Sequence, residues 1–309
     1  MRNYVAKRIF AAVPLFFIIS FCSFVLINLS PTDPAVAALR ANDVPVITEE
    51  LVEQTRAQLG LDQPLLIRYG KWLSGCLQLN FGQSYVKKIS VSSLILPAFL
   101  NTLKLVTVTS VTIILLSTIF GVFCALREGS KADKGIRGIL FVFTSMPSYW
   151  IGPLMIWFFA VQLNILPTSG IGNASHYILP VIVMSFSYIG FYFRLIRNSM
   201  IRNSGENYVL YEKASGLPDR LVNRHILRNS LQTAISGFCM AIPGMLAGTV
   251  VVENVFAWPG IGRLCVSAIF DRDLPVIQAY IIIVAAFFIL FNLIADLISA
   301  AINPKQREG

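Results

Sequence analysis

Five uncharged stretches, 9–29, 105–126, 139–163, 231–252 and 276–295, constrain this chain before any other feature does. Each approaches or exceeds the roughly 20 apolar residues that a helix needs to cross the hydrocarbon of a bilayer. A sixth, 177–193, is shorter, and Arg194 and Arg197 stand where they can snorkel at its inner end. Helices follow from the solvent, because a lone span in lipid must satisfy its own backbone N–H and C=O groups. The runs lack the alternating segments of about ten residues that a membrane β-barrel requires. Composition agrees: 55% of the 309 residues are hydrophobic and 13% charged, against roughly 25% charged in a soluble domain. Mean hydropathy is +0.68. The expected fold is an all-α integral membrane protein with six transmembrane helices.

Lysine and arginine fall unevenly on the two sides of such a bundle. The N-terminus, 127–137, 194–228 and the tail after 302 hold sixteen of the 25, against nine in the longer segments on the other side. Excess positive charge marks the cytoplasmic side, so both termini of this multi-pass chain are expected there. The segment 162–176 has no basic residue and suits an external loop. A net charge of +9 does not indicate nucleic acid, because the basic residues sit in short segments between spans, not in a stripe interleaved with aromatics. Arg2, Lys7 and Arg8 before an apolar run, with Ala35-Val36-Ala37 after it, have the ingredients of a signal peptide. The run is about twice the usual signal core and five more spans follow, so an uncleaved first helix is expected.

In chain order the sequence divides into a first helix with an external amphipathic region (1–98), a five-helix core with an inner loop at 194–230 (99–302), and a cytoplasmic tail (303–309). In the external region Thr48 is placed to cap a helix over 49–59, with Gly60 as its stop. A second amphipathic helix is predicted over 65–77, its Tyr69 and Trp72 suited to a membrane interface. Cys22, Cys124 and Cys239 lie inside apolar runs, where cysteine acts as a small hydrophobe. Cys76 and Cys265 fall in external segments where they could pair, and no CxxC or Cys/His metal spacing occurs.

Enzyme signatures are missing. There is no GxxxxGK[ST] to cradle ATP phosphates and no HExxH to hold a catalytic zinc. The two histidines, His176 and His225, are expected on opposite sides of the membrane. What stands out is the 35-residue inner loop at 194–228. Asn207 is placed to cap a short helix over 208–215 that Gly216 ends and Pro218 blocks. A second helix, about 219–229, then leads into the fifth span. Tyr208, Val209, Leu210, Tyr211, Ala214, Leu217, Leu221, Ile226 and Leu227 are apolar side chains that a solvated loop has no need of. A docking knob is the expectation.

The knob's ENYVLYEKASGL, followed by RHILRN, resembles the cytoplasmic coupling motif of binding-protein-dependent ABC importers. LGLDQP (59–64), FGQS (81–84), SMPSYW (145–150), LPTSG (166–170) and ENVFAWPGIGR (253–263) are similar to the peptide and nickel importer permeases. FDRDLPVIQ (270–278) looks most like nickel-type members, and 225–243 like permeases for metal–opine metallophore complexes. Glu212 and Ser215 depart from the family pattern, which often has alanine and lysine there.

The resemblance implies a type I ABC importer permease, a non-catalytic subunit moving a transition metal such as nickel, free or chelated. A di- or oligopeptide is the alternative cargo, and a non-transporting scaffold or receptor the rival function. It implies a second related permease, two ATP-binding subunits and an external solute-binding protein, with ATP and Mg on the partners and no cofactor here. Coupling to the ATPase would fall on Tyr208, Glu212, Ala214, Ser215, Gly216, Leu217, His225, Leu227, Arg228 and Asn229. Trp258, Pro259 and Gly260 would form an external re-entrant or capping loop, or an ordinary loop anchored at the interface. Glu253, Asp271 and Asp273, near the outer ends of spans five and six, are expected to be solvated, with a cation or a delivery protein as the alternative contact.

Overall fold

The computed structural model describes residues 2–29, 33–41 and 44–302, with the side chains of 2–7, 233 and 302 left aside. The expected tail at 303–309 lies outside the described residues. Twelve α-helices are described: α1 (Arg2–Asn28), α2 (Pro34–Ala41), α3 (Glu49–Gln58), α4 (Leu65–Leu77), α5 (Val91–Leu126), α6 (Lys131–Ser145), α7 (Ser148–Met155), α8 (Ser175–Ser204), α9 (Asn207–Ala214), α10 (Asp219–Val255), α11 (Ile261–Phe270) and α12 (Leu274–Ile302). A π-helical stretch, Ile156–Gln162, continues α7. Among the described residues the only β-pairing is an isolated antiparallel bridge between Gln83 and Ser90.

Among the described residues five helices are long and apolar enough to cross a membrane, and a sixth span exists there as a bent pair. The run 139–163 reads as one continuous span, but α6 and α7 meet at 104°. The cause is Pro147. Its ring clashes with a helical residue before it, and Met146 accordingly sits at φ −92°, ψ 132°, in extended backbone. The shorter run 177–193 belongs to a 30-residue helix, α8, and needs no snorkelling to be long enough. The inner helix expected over 219–229 is not separate: α10 runs unbroken for 37 residues through Pro243.

The chain forms two compact units, each assembled from separated segments: Lys104–Trp258 with the chain from Phe291, and Arg2–Leu103 with Pro259–Leu290. In the first, α8 is the axis and packs on α6, α7 and α10. Small residues let backbones approach there. A Cβ at Gly190 would lie 2.2 Å from Thr144 Cγ2, one at Gly152 would lie 2.8 Å from Val255 Cγ1, and one at Gly121 3.0 Å from Ile196. Gly244, which has the same look in the sequence, faces open space. Tyr192 is buried, and its hydroxyl donates to Gly237 O at 2.9 Å.

The second unit is built on α4, the start of α5, α11 and the start of α12, with Val91, Ile95, Phe99, Ile261 and Ile282 in its core. Phe99 meets Phe287 edge-on at 4.3 Å. Thr48 caps α3 by accepting the Leu51 N–H, and Gly60 ends it at φ +65°. Tyr69 and Trp72 pack on Phe24 of α1, and the Tyr69 hydroxyl bonds Ser20 Oγ at 2.7 Å. They therefore join two helices of the unit. Cys76 and Cys265 are buried free thiols, and burial pushes Cys76 up to about 12. Asp273 is buried and accepts from Ser84 Oγ and the Tyr85 amide, so it is not solvated; Asp271 is.

Candidate coupling site

The knob lies within the first unit, between the end of α8 and the first turns of α10. Helix α9 starts one residue earlier than expected, at Asn207, so Asn207 is not its cap. Glu206 holds that position, in extended backbone and without a side-chain cap bond. The other end is as the sequence predicts. Gly216 takes φ +78°, its N–H bonds Lys213 O at 3.0 Å, and the Leu217 N–H bonds Glu212 O at 3.1 Å. This paired closure satisfies two orphan carbonyls and needs a left-handed residue at Gly216. Pro218 then starts α10 with its fixed φ of −64°.

One core holds the knob together. Val209 of α9 and Val222 and Ile226 of α10 are buried with Ile196 and Met200 of α8, and Tyr208, Leu217 and Leu227 pack against them. The apolar residues of the loop thus divide by role. Val209 and Ile226 face inward, whereas Leu210, Tyr211 and Leu221 are 64%, 75% and 40% exposed. Val222 was absent from the predicted set, although its i,i+4 spacing to Ile226 is the signal of one helix face. Glu212 and His225 meet across the two helices, with Nδ1 of the ring 2.8 Å from Oε1. Ala214, Ser215, Gly216, Arg228 and Asn229 are exposed around this pair. The result is an internally packed wedge whose outer face carries Leu210, Tyr211 and Leu221 beside polar residues.

Sequence reasoning missed the part that anchors this wedge. Arg197, expected to snorkel, is buried and grips Asp133 with two bonds of 2.8 Å. Asp133 is itself fully buried and also accepts the Gly129 N–H at 3.1 Å, with Arg137 at 3.3 Å. The local half of this arrangement was legible. Ser130-x-x-Asp133 is a capping-box pattern, and Ser130 Oγ accepts the Asp133 N–H. The bidentate pair fixes α6 to the α8 turn that runs down into the knob.

The segment 258–260 does not expose its tryptophan. Trp258 is fully buried, edge-on to Tyr177 at 4.7 Å, and its backbone N–H donates to Glu253 O at 2.8 Å. Glu253 is also fully buried, where solvation was expected. Gly170 of the LPTSG motif donates its N–H to Phe256 O at 2.8 Å, tying that loop to the end of α10. In the other unit, Asn101 donates to Pro259 O at 3.1 Å, and Thr102 Oγ1 accepts the Ile261 N–H at 2.9 Å, capping α11. Among the described residues no three His, Cys, Asp or Glu side chains gather as a metal-holding group.

Comparison with known proteins places these features in context. Residues 117–308 match the family model of the binding-protein-dependent transport system inner membrane component, and 1–107 match the N-terminal model of the same membrane components. The chain is 47% identical over 309 residues to the metal-staphylopine import system permease protein CntB of Staphylococcus aureus, covering 100% of this chain and 99% of the relative. It is 34% identical to the oligopeptide transport system permease protein AppB of Bacillus subtilis, covering 99% of each chain. Identity to the glutathione transport system permease protein GsiC of Escherichia coli is 35%, again over 99% of each. Among solved structures, an inward-facing MetNI methionine ABC transporter has the same fold, with TM-score 0.57 at 16% identity over 68% of this chain and 96% of that one.

Proposed function

The chain belongs to the inner-membrane components of binding-protein-dependent transport systems, and from that membership we propose its cargo and its mechanism. It is a multi-pass, non-catalytic permease subunit of an ATP-driven importer, and it works with ATPase and solute-binding partners. Its cargo is a transition metal such as nickel, carried as a metallophore chelate. The observation that carries this is the end-to-end 47% identity to a metal-staphylopine permease, against 34–35% to oligopeptide and glutathione permeases.

The finer assembly is one copy of this chain beside a second related permease, two ATP-binding subunits that hold ATP and Mg, and an external binding protein. Both termini are cytoplasmic. Closure of the ATPases on ATP moves the knob, and the knob moves the spans. Three features support this: the wedge is internally packed, its outer face is exposed, and the Asp133–Arg197 pair ties its supporting helix to α6. In population terms, ATP binding favours one of two bundle states by contacts made only in that state. With no cluster of soft ligands among the described residues, this chain passes the metal with its chelator and does not strip it.

Deleting the gene should lower cellular nickel, cobalt or zinc under metal limitation and leave sensitivity to toxic di- and oligopeptides unchanged. Resistance to toxic peptides with unaltered metal content would transfer the assignment to peptide import.

A further inference from the structure

The unit formed by Arg2–Leu103 and Pro259–Leu290 contains an open cavity of about 490 Å³. Its walls come from α1, α3, α4, the segment 80–85 and the start of α12. Its size falls among those of small-molecule sites, roughly 300–1,000 Å³. Arg68 and Lys71 both line it, three residues apart on α4 and so on one helix face. Each is bonded to a neutral amide: Arg68 donates to Asn28 Oδ1, and Lys71 Nζ donates to Gln63 Oε1 at 2.8 Å. No Asp or Glu is among the described residues that line the cavity.

The neighbouring acid is already engaged. Burial alone would raise the Asp33 carboxyl, but the Arg56 hydrogen bond, the Ala35 amide and the charges of Arg56 and Arg68 hold it below its usual range. Arg68 and Lys71 thus place two positive charges at a cavity wall with no lining carboxylate to balance them. A guanidinium has five N–H donors and an ammonium three, so each has capacity beyond its amide partner. The remaining wall mixes amides, including Gln58, Asn80 and Gln278, with the rings of Phe24, Trp72 and Tyr85.

We infer that this cavity binds a small polycarboxylate anion, with Arg68 holding one carboxylate in its two-pronged fork and Lys71 a second as a point charge. The class includes citrate-like acids and metal chelates that present carboxylates outward. Cavity and charge carry this independently of the cargo assignment, so a peptide importer with the same cavity would bind the same anions.

The test is equilibrium binding to the purified intact importer, with radiolabelled citrate and with nickel nitrilotriacetate, and with nickel chloride as the cation alone. Both anions should bind saturably. Arg68→Gln and Lys71→Gln should each weaken binding about tenfold, the worth of one charged hydrogen bond. Arg68→Lys should restore part of the loss, and Lys87→Gln, outside the cavity, should change nothing. Retention of nickel chloride should be the same in all variants. Each variant must keep its ATPase partners and melting temperature; Arg68→Lys serves where Arg68→Gln does not. Saturable binding of neither anion, or anion binding unaltered in the Arg68→Gln/Lys71→Gln double variant, would overturn the inference. So would anions retained only when the external binding protein is added, since the cations would then serve protein docking.

Discussion

Asp133 and Arg197 are both buried, yet Arg137 beside them is 44% exposed and Glu128 lies 3.8 Å from the guanidinium, so water stays near the pair. Losing one partner should cost about 2–4 kcal/mol, between the loss of a charged hydrogen bond and that of a fully buried ion pair. Arg197→Ala and Asp133→Ala should each lower the melting temperature of the purified chain in detergent. The double variant should melt close to the worse single, because the pair is lost once and no charge is stranded. Equal, additive losses would mean that the two do not act together. Gly216 sets the turn of the knob. At φ +78° a side chain with a Cβ is strained by roughly 1–2 kcal/mol, although no atom stands within 4 Å to clash. Gly216→Glu should abolish uptake while the chain still inserts, and Gly216→Asn, which tolerates this conformation, should keep most of it. Normal uptake by Gly216→Glu would remove the turn from the mechanism.

Among elements, the approach of α8 to α6 is set by Gly190. A Cβ there would meet Thr144 Cγ2 at 2.2 Å, with Leu140 O at 3.5 Å behind it. Gly190→Ala should therefore destabilise the unit by about 1–3 kcal/mol, as overpacking does, and Thr144→Ala in the same chain should recover most of it. No recovery would show that the strain lies in the backbone of α8. Elements stated by local chemistry were readable in advance: the Thr48 cap, the Gly60 and Gly216 stops, and the amphipathic α4 each depend on neighbours within a few residues. The break at Pro147 was not, because a hydropathy window averages composition and is blind to one proline's effect on Met146. Nor were the buried acids. Asp133 finds Arg197 64 residues away and Asp273 finds Ser84 189 residues away, and nothing local marks either pair. Trp258 and Glu253 failed for the same reason, since their burial is made by tertiary packing.

For the whole molecule, the sixteen-to-nine charge split is an orientation that can be measured. Single cysteines at Ser130 and Asp219, in a cysteine-free chain, should resist an impermeant thiol reagent in intact cells, while one at Ser169 should react. Labelling at Asp219 from outside would reverse the orientation and detach the knob from any cytoplasmic ATPase. The Asp133–Arg197 pair also carries a consequence for how the chain is made. The carboxylate leaves the ribosome 64 residues before the guanidinium that neutralises it, several seconds at synthesis rates of roughly 5–20 residues per second. During that interval Asp133 has only its local partners, the Gly129 N–H and Arg137, and lacks the two-pronged guanidinium. The expected order of assembly is that α6 docks only after α8 arrives with Arg197. Nascent chains halted before Arg197 should remain open to protease across 127–137, and chains halted well beyond it should become protected.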